Sequence, residues 1–506
     1  MSRINTNVSS LTAQRVLGQN NNSLGQSLAR LSTGLRINRG KDDPAGLIAS
    51  ENLRSEKAGI NAALKNSERA NQVVNIAEGG LQEVSNLLTE LQGLLTTSAN
   101  SAGLGESEKE ANQLQIDSIL ETIDRVAGAT SFQGTKLLNG NFDYQVSSVD
   151  AGVTDINVRG AKFDGATQDV SAIITQSAQQ GGLLLSFGAA ALNLNDTNGS
   201  FTIEVAGAVG NRELQFASGN SVSEIAAAIN AVSDVTGVTA SAAGNTVALE
   251  SVDFGDSEFV SVEVVDDASL NVAVAGANIA SYAGDFGDTA NLNTADTFDS
   301  NEAGNSIRDD GQDIAGSING LQAVGNGKTL SVTSDFLDLE FTATTAASQT
   351  LGGLAAFTIT GGGADFQLAS NIDIGGKTSL GIGDISSRKL GTTESGFLSD
   401  LGSGKQFNVV DGNNLNTAQK VVAEAIEQVS STRGRLGAFQ KNTVGATIRS
   451  LGIALENTTA AESVIRDADF ASETASLTRN QILVQASTNV LSLANQQPQQ
   501  VLSLLG

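Results

Sequence analysis

Apolar positions recur with helical spacing at both ends of the chain and with a period of two in its middle. Near the start, Leu17, Leu24, Leu28, Leu31 and Leu35 follow one another at steps of seven, four, three and four. Near the end, Leu483, Ala486, Val490 and Leu493 fall at heptad spacing, and Val501 and Leu504 follow after a polar stretch. Each series makes a narrow seam that one helix cannot bury alone, and the residues around it are mostly Asn, Gln, Ser and Thr. Both segments are therefore expected to stay loosely folded until paired, and the two termini to meet within one molecule or across many.

Inside these ends the pattern is that of a helical bundle. Arg39 to Pro44 (RGKDDP) is a break in which Asp42 or Asp43 caps the next helix, with Pro44 in its first turn. From Ala45 the helical pattern runs for more than fifty residues, with Ile60, Leu64, Val74, Leu81, Leu88 and Leu95 on one track and Val73, Ala77, Val84, Leu91 and Leu94 beside it. Gly79 and Gly80 interrupt it at about 1 kcal/mol each relative to Ala, which predicts close packing there. After a Ser- and Gly-rich loop, Ser107 stands three residues before Glu110 at capping-box spacing and opens a helix through Ile116, Leu120, Ile123 and Ala127. Matched stripes across a short loop predict an antiparallel pair. A third helix runs from Thr417, capped by Asn416, with Val422, Ala425, Val429, Leu436, Phe439, Ile448, Leu451 and Leu455 on its apolar face. Its glycines, Gly434, Gly437, Gly445 and Gly452, predict a neighbouring backbone at close range.

Between residues 141 and 416 short alternating runs, such as Phe201–Val205, Thr246–Glu250 and Phe259–Val264, predict strands separated by turns. One helical insert, Ser223 to Val232, interrupts them. The fold class is thus multidomain α+β: long terminal helices forming a coiled-coil core and a helical bundle, with a β-rich central outer region.

Charge sharpens this division. The 506 residues hold 29 Lys plus Arg and 55 Asp plus Glu, but residues 1–140 have 13 basic against 14 acidic side chains and residues 417–506 have 7 against 7. Residues 141–416 therefore carry nearly all of the net charge of −26. Near-neutral ends can pack side by side, whereas an acidic middle repels its own copies. The same balance excludes a nucleic-acid partner, which needs a basic face. With no Cys and no His, thiolate chemistry, disulfides and the usual zinc or haem sites are excluded, and no cofactor is expected. There is no signal-type apolar segment and no apolar run long enough to span a membrane, so sequence physics alone would place the chain in the cytoplasm without a membrane partner. Asp266-Asp267 and Asp309-Asp310 offer carboxylates to Ca²⁺, but no EF-hand loop or nonapeptide array accompanies them, so they read as solvated surface. Paired carboxylates also suit a glycosidase, yet 4% aromatic residues leave little for a sugar-stacking cleft, and a non-enzyme is expected.

The stretches MSRINTNVSSLTAQRVLGQN, LARLSTGLRINRGKDDPAGLIAS, RGRLGAFQKN and ANQQPQQVLSLLG resemble the terminal signatures of bacterial flagellin, over residues 1–140 and 364–506. The resemblance implies an N-terminal core helix (1–43), a bundle built from 44–140 and 417–465, a variable outer region (141–363), return strands (364–416) and a C-terminal core helix (466–506). It also implies IN-type modules near 199–265 and, as a weak partial repeat, 313–342. The implied function is a subunit of the flagellar filament, exported by the type III channel and secreted to the cell exterior, where rotation of the filament gives swimming motility. Implied partners are copies of itself, an export chaperone at the C-terminal helix on Leu483, Val490, Leu493 and Leu504, and the hook-associated and cap proteins. Flagellins recognised by the toll-like innate receptor carry a Gln-Arg pair and a following Leu on the first long helix. Here Leu94 matches, but Thr89 and Glu90 replace the pair, which implies weak receptor binding. A hook–filament junction protein shares the terminal helices and modules and is the alternative within the family; a secreted acidic adhesin or surface-layer protein is the alternative outside it.

Overall fold

The computed structural model describes residues 6–100, 103–163, 165, 167–192, 194, 200–267, 277–281, 306–411 and 414–503. Its helices are α1 (Val8–Thr33), α2 (Pro44–Ser98), α3 (Glu106–Ala129), α4 (Val222–Asn230), the one-turn α5 (Ser233–Thr236) and α6 (Thr345–Ser348), α7 (Leu415–Ala438), α8 (Gly445–Arg466) and α9 (Phe470–Ser503). The chain divides into two compact units, one of Met1–Gln72, Phe366–Lys377 and Gly437–Gly506, the other of Val73–Asp365 and Thr378–Leu436.

In the first unit, α1 ends on Gly34 in the left-handed conformation (φ 72°), and the RGKDDP break follows. The two aspartates divide the work there. The Asp42 carboxylate accepts the Asn38 and Arg39 amides (3.2 and 2.9 Å), while Asp43 accepts the Gly46 amide (2.9 Å) and caps α2, whose first residue, Pro44, has no amide to satisfy. The first half of α2 buries Ile60 and Ala63, with Leu64 half-buried. It is tied to α8 by Lys57 with Glu462 (2.7 Å) and Glu51 with Arg466 (2.9 Å). One π turn, Phe439–Val444, leads into α8, and the buried Phe439 ring lies 5.9 Å from that of Phe366. Leu451 is half-buried.

In the second unit, α2 from Val73 onward, α3 and α7 form the bundle. Val74, Leu81, Leu88 and Leu95 of α2, Ile116, Leu120 and Ile123 of α3, and Val429 and Leu436 of α7 are all buried. These side chains share the interior of the bundle in this unit. Arg433 of α7 binds Glu78 (2.9 Å) and Gln82 of α2. Polar side chains on one face of α3 hold the returning chain: Gln113 bridges the Leu401 carbonyl and the Val409 amide (2.9 Å each), and Asp124 accepts the Ser387 amide (2.7 Å).

Several helix starts differ from the sequence expectation. α3 opens at Gly105, whose amide donates to Glu108 (3.0 Å), two residues ahead of the Ser107/Glu110 spacing. Asn416 lies inside α7 and donates to Asp234 (2.8 Å) instead of capping. α4 begins at Val222, one residue ahead of the expected Ser223, and is capped by Ser221 with Glu224 closing a capping box. The glycines differ too. A Cβ on Gly80 would stand 2.7 Å from Leu138 Cδ1 and Thr130 Oγ1, the close packing foreseen, but Gly79, Gly434, Gly437 and Gly452 have no such neighbour within 4 Å among the described residues.

The β-rich part of this unit has two cores. The first lies under an eight-stranded antiparallel sheet and centres on Phe341, Leu339, Leu330 and Ile318. Residues 313–342, expected to be a partial second module, are four successive strands of this sheet (Ala315–Ile318, Leu321–Asn326, Thr329–Thr333, Leu337–Ala343) with no helix among them. The second core is enclosed by two four-stranded sheets and α4, and centres on Phe201, Ile203, Ile225 and Leu249. It recruits strands beyond 199–265: Gly182–Phe187 pairs with Thr246–Ser251, and Ser306–Asp310 with Phe259–Asp266. The chain leaves the eight-stranded sheet after strand Gln168–Gln176 and returns on its neighbour Ala315–Ile318, and Gln179 and Gln312 exchange backbone hydrogen bonds (2.8 and 2.9 Å) where the excursion closes.

Where bundle and sheet meet inside this unit, Arg435 of α7 is half-buried, and its Nε and Nη1 have no hydrogen-bond partner among the described residues. Burial and the neighbouring Arg159 lower its pKa, against the pull of Asp338, Glu340 and Asp143. Burial raises the carboxyl pKa values of Asp143, Asp338, Asp309, Glu250 and Glu258.

Two predictions follow from this packing. Gly79→Ala should raise stability by up to about 1 kcal/mol through helix propensity, whereas Gly80→Ala should lower it by about 1–3 kcal/mol through overpacking, both read by thermal unfolding of the monomer. For the five half-buried carboxyls the native state binds protons more tightly than the unfolded chain, so the penalty they impose is present above the raised native pKa values and is relieved as pH falls through them. Glu224, held low by the Ser221 amide, acts in the opposite sense. Calorimetry should show the melting temperature of the β-rich part rising on mild acidification from neutral pH, before general acid unfolding begins.

Candidate assembly interface

The termini do meet, as an antiparallel pair of α1 and α9 in the first unit. The residues that make the seam are small and polar. Ser10, Ala13 and Ser27 of α1 and Ser487 and Ala494 of α9 are buried. Asn20 Nδ2 donates to Ser487 Oγ (2.7 Å), Asn480 Nδ2 to Ser27 Oγ (3.2 Å), and Ser10 Oγ to Asn495 Oδ1 (2.7 Å). Ala13, Asn20 and Ser27 recur every seventh residue on one helix, and Asn480, Ser487 and Ala494 on the other. Small side chains at each step let the backbones come close enough for these bonds. The pair closes at Arg30 with Glu473 (3.6 Å) and at a β-bridge between Leu35 and Asp467, where the Arg36 amide donates to the Arg466 carbonyl (2.7 Å) and the Ala468 amide to the Gly34 carbonyl (2.9 Å).

This corrects the leucine seam. Leu17, Leu24, Leu31 and Leu35 are half-buried, but Leu28 is 51% exposed, and Leu483, Val490 and Leu493 are 42, 56 and 60% exposed. Leu504 and the side chain of Val501 lie outside the described residues. Heptad spacing states that apolar residues share a face; it does not state that this face meets the other terminal helix. Two interleaved heptad series run along α9, and the polar one, not the apolar one, faces α1. The signal was present in the Ala13/Asn20/Ser27 and Asn480/Ser487/Ala494 spacings, but polar heptads carry little weight in a search for cores.

The apolar series is left facing outward. Val8, Val16, Leu483 and Val490 line an open groove of about 580 Å³ along the pair, and Leu11, Ile482 and Leu493 are exposed nearby. Burying each such side chain is worth about 1.5–3 kcal/mol. On the second unit, Thr89 and Glu90 of α2 are exposed and Leu94 is half-buried; Thr89 Oγ1 donates to the Ser85 carbonyl (2.9 Å).

Among the described residues no group of three or more Asp or Glu is arranged to hold a metal ion, and no helix is long and apolar enough to cross a membrane. The Asp309 carboxylate accepts the Gly182 amide (2.8 Å) and Asp310 pairs with Arg308 (2.6 Å), so both serve the sheet.

Residues 4–143 match the bacterial flagellin N-terminal helical region, residues 399–505 the bacterial flagellin C-terminal helical region, and residues 200–253 the flagellin hook IN motif. The chain is 31% identical to the B-type flagellin of Pseudomonas aeruginosa and 28% identical to a flagellin of Salmonella choleraesuis, in each case across 99% of both proteins. A solved hook-associated protein-3 from Legionella pneumophila is covered over 97% of its length by 81% of this chain, but at 10% identity and a TM-score of 0.29 it carries no argument here. Matched at both helical ends, in the inserted module and along its full length, the chain belongs to the bacterial flagellins.

Proposed function

We propose that this flagellin polymerises into the flagellar filament by burying the outward apolar face of its α1–α9 pair against neighbouring copies. The observation that carries this is the division of labour on α9: a polar seam holds the pair together, while Leu483, Val490 and Leu493 stay exposed on a chain whose ends are nearly neutral. Exposed apolar surface of this kind on otherwise polar helices is an interaction surface. The acidic 141–416 region stays in water, where copies repel. The role is structural and non-catalytic, the subunit is secreted, and its site of action is the filament outside the cell. Before export the same apolar face of α9 is the natural seat for a chaperone groove that takes an amphipathic helix. Hook-associated and cap proteins then abut the ends of the polymer.

Seeded polymerisation of the purified chain followed by electron microscopy tests this reading. Filaments are expected from the full chain and not from a variant lacking residues 467–506. Val490→Asn with Leu493→Asn should also abolish filaments yet leave monomer melting within about 0.5 kcal/mol of the parent, because exposed side chains contribute little to the isolated fold. Filaments from either variant at the parent's efficiency would refute the role given to α9.

Exposed Glu90 stands where receptor-active flagellins carry a cation, so this chain is a weak agonist of the innate receptor. An anion at such a contact costs several kcal/mol when unpaired. Reporter cells should respond weakly to the monomer and more strongly to Glu90→Arg; a parent signal equal to that of a strong agonist would refute this reading.

A further inference from the structure

Pro498 lies within α9, five residues before its last. A proline has no amide hydrogen, so the carbonyl four residues earlier, that of Ala494, is deprived of its usual helical donor. Ala494 is buried against α1, where water does not readily replace that donor. The structure supplies one from the other end of the chain: Asn7 Nδ2 donates to the Ala494 carbonyl at 2.8 Å. The same side chain accepts the Ser10 amide on its Oδ1 (3.0 Å) and so caps α1.

We propose that Asn7 and Pro498 together form a register lock for the terminal helix pair. Proline opens one acceptor at one level of α9, and the capping asparagine at the start of α1 fills it. Within the body of a helix the other carbonyls already accept from their own amides, so a second donor there, as Asn20 Nδ2 is to the Leu483 carbonyl at 3.4 Å, satisfies no orphaned group. If α9 slid by a turn along α1, Asn7 would face an engaged carbonyl and Ala494 would keep a buried, unpaired one. The leucines that line the outer face would move with it. The lock therefore sets which apolar positions are presented side by side for assembly. This deepens the filament reading and rests on it, but the lock itself is a property of the single chain.

The test uses Asn7→Ser, which keeps a good helix cap but is too short to reach Ala494, in the parent and in a Pro498→Ala background where the helix amide is restored. Two readouts are taken on the full chain: the critical concentration for seeded growth, and the yield of disulfide trapping between Ala13→Cys and Ala494→Cys, introduced into a protein with no cysteine of its own. Asn7→Ser is expected to raise the critical concentration about tenfold and to lower the trapping yield, and Pro498→Ala to remove most of both effects. Equal loss in the two backgrounds would mean that Asn7 acts only as a cap and would overturn the lock. Asn7→Ser indistinguishable from the parent in both readouts would overturn it as well. Trapping that follows the expected pattern while even the parent fails to polymerise would uphold the lock and sink the filament reading.

Discussion

The close antiparallel seam between α1 and α9 is the constraint on which the remainder of the molecule's use depends. It joins residues more than 450 positions apart in sequence, and it does so with serines, asparagines and alanines instead of leucines. A seam of this kind has two physical properties. It is specific, because each hydrogen bond exists in one register only, and it is weak, because a net side-chain hydrogen bond contributes about 1 kcal/mol. An apolar seam would have been stronger but tolerant of slippage, and it would have consumed the surface that remains for neighbouring copies. The chain thus separates the residues that define the pair from those that the pair offers outward.

The bundle and the β-rich part follow the opposite economy. There the apolar stripes are used up internally: Leu81, Leu88, Ile116, Ile123 and Val429 are buried, and polar side chains such as Gln113, Asp124 and Arg433 fix the segments that cross them. Arg435 is the exception, a half-buried cation with two nitrogens unpartnered among the described residues, close to Asp143 and Asp338, whose ionisation burial disfavours. Removing one member of such a group costs more than the group contributes as a whole, since it strands the others. That gives a physical reason for two arginines in RGRLGAFQKN: Arg433 ties α7 to α2, and Arg435 points the other way, toward the sheet.

Much of this was legible in the sequence because it rests on periodicity and composition. The stripes of α2, α3 and α7 and the shift to strands after residue 141 are strong, local signals, and the charge partition marks the outer region independently. What was not legible depended on choices between equivalent patterns. Leu483, Val490 and Leu493 and Asn480, Ser487 and Ala494 are both heptad series on one helix, and only the geometry of α1 decides between them. The strands Gly182–Phe187 and Ser306–Asp310 join the module core from outside its contiguous stretch, which no local pattern announces. Residues 313–342 alternate like a module but lack its capped helix, and the partners available in the eight-stranded sheet decided their fate. No local pattern separates Asn7 from the other polar residues near the start; its bond to the Ala494 carbonyl does.

The closed excursion between Gln179 and Gln312 has a consequence of another kind. Because the chain departs from one strand and resumes on the strand beside it, the sheet's continuity is independent of what lies between. The interval behaves as a cassette: its content can lengthen, shorten or be exchanged while the supporting architecture keeps the same edges and the same pairing. The surface that this interval presents can thereby change without altering a single strand pairing of the sheet that carries it.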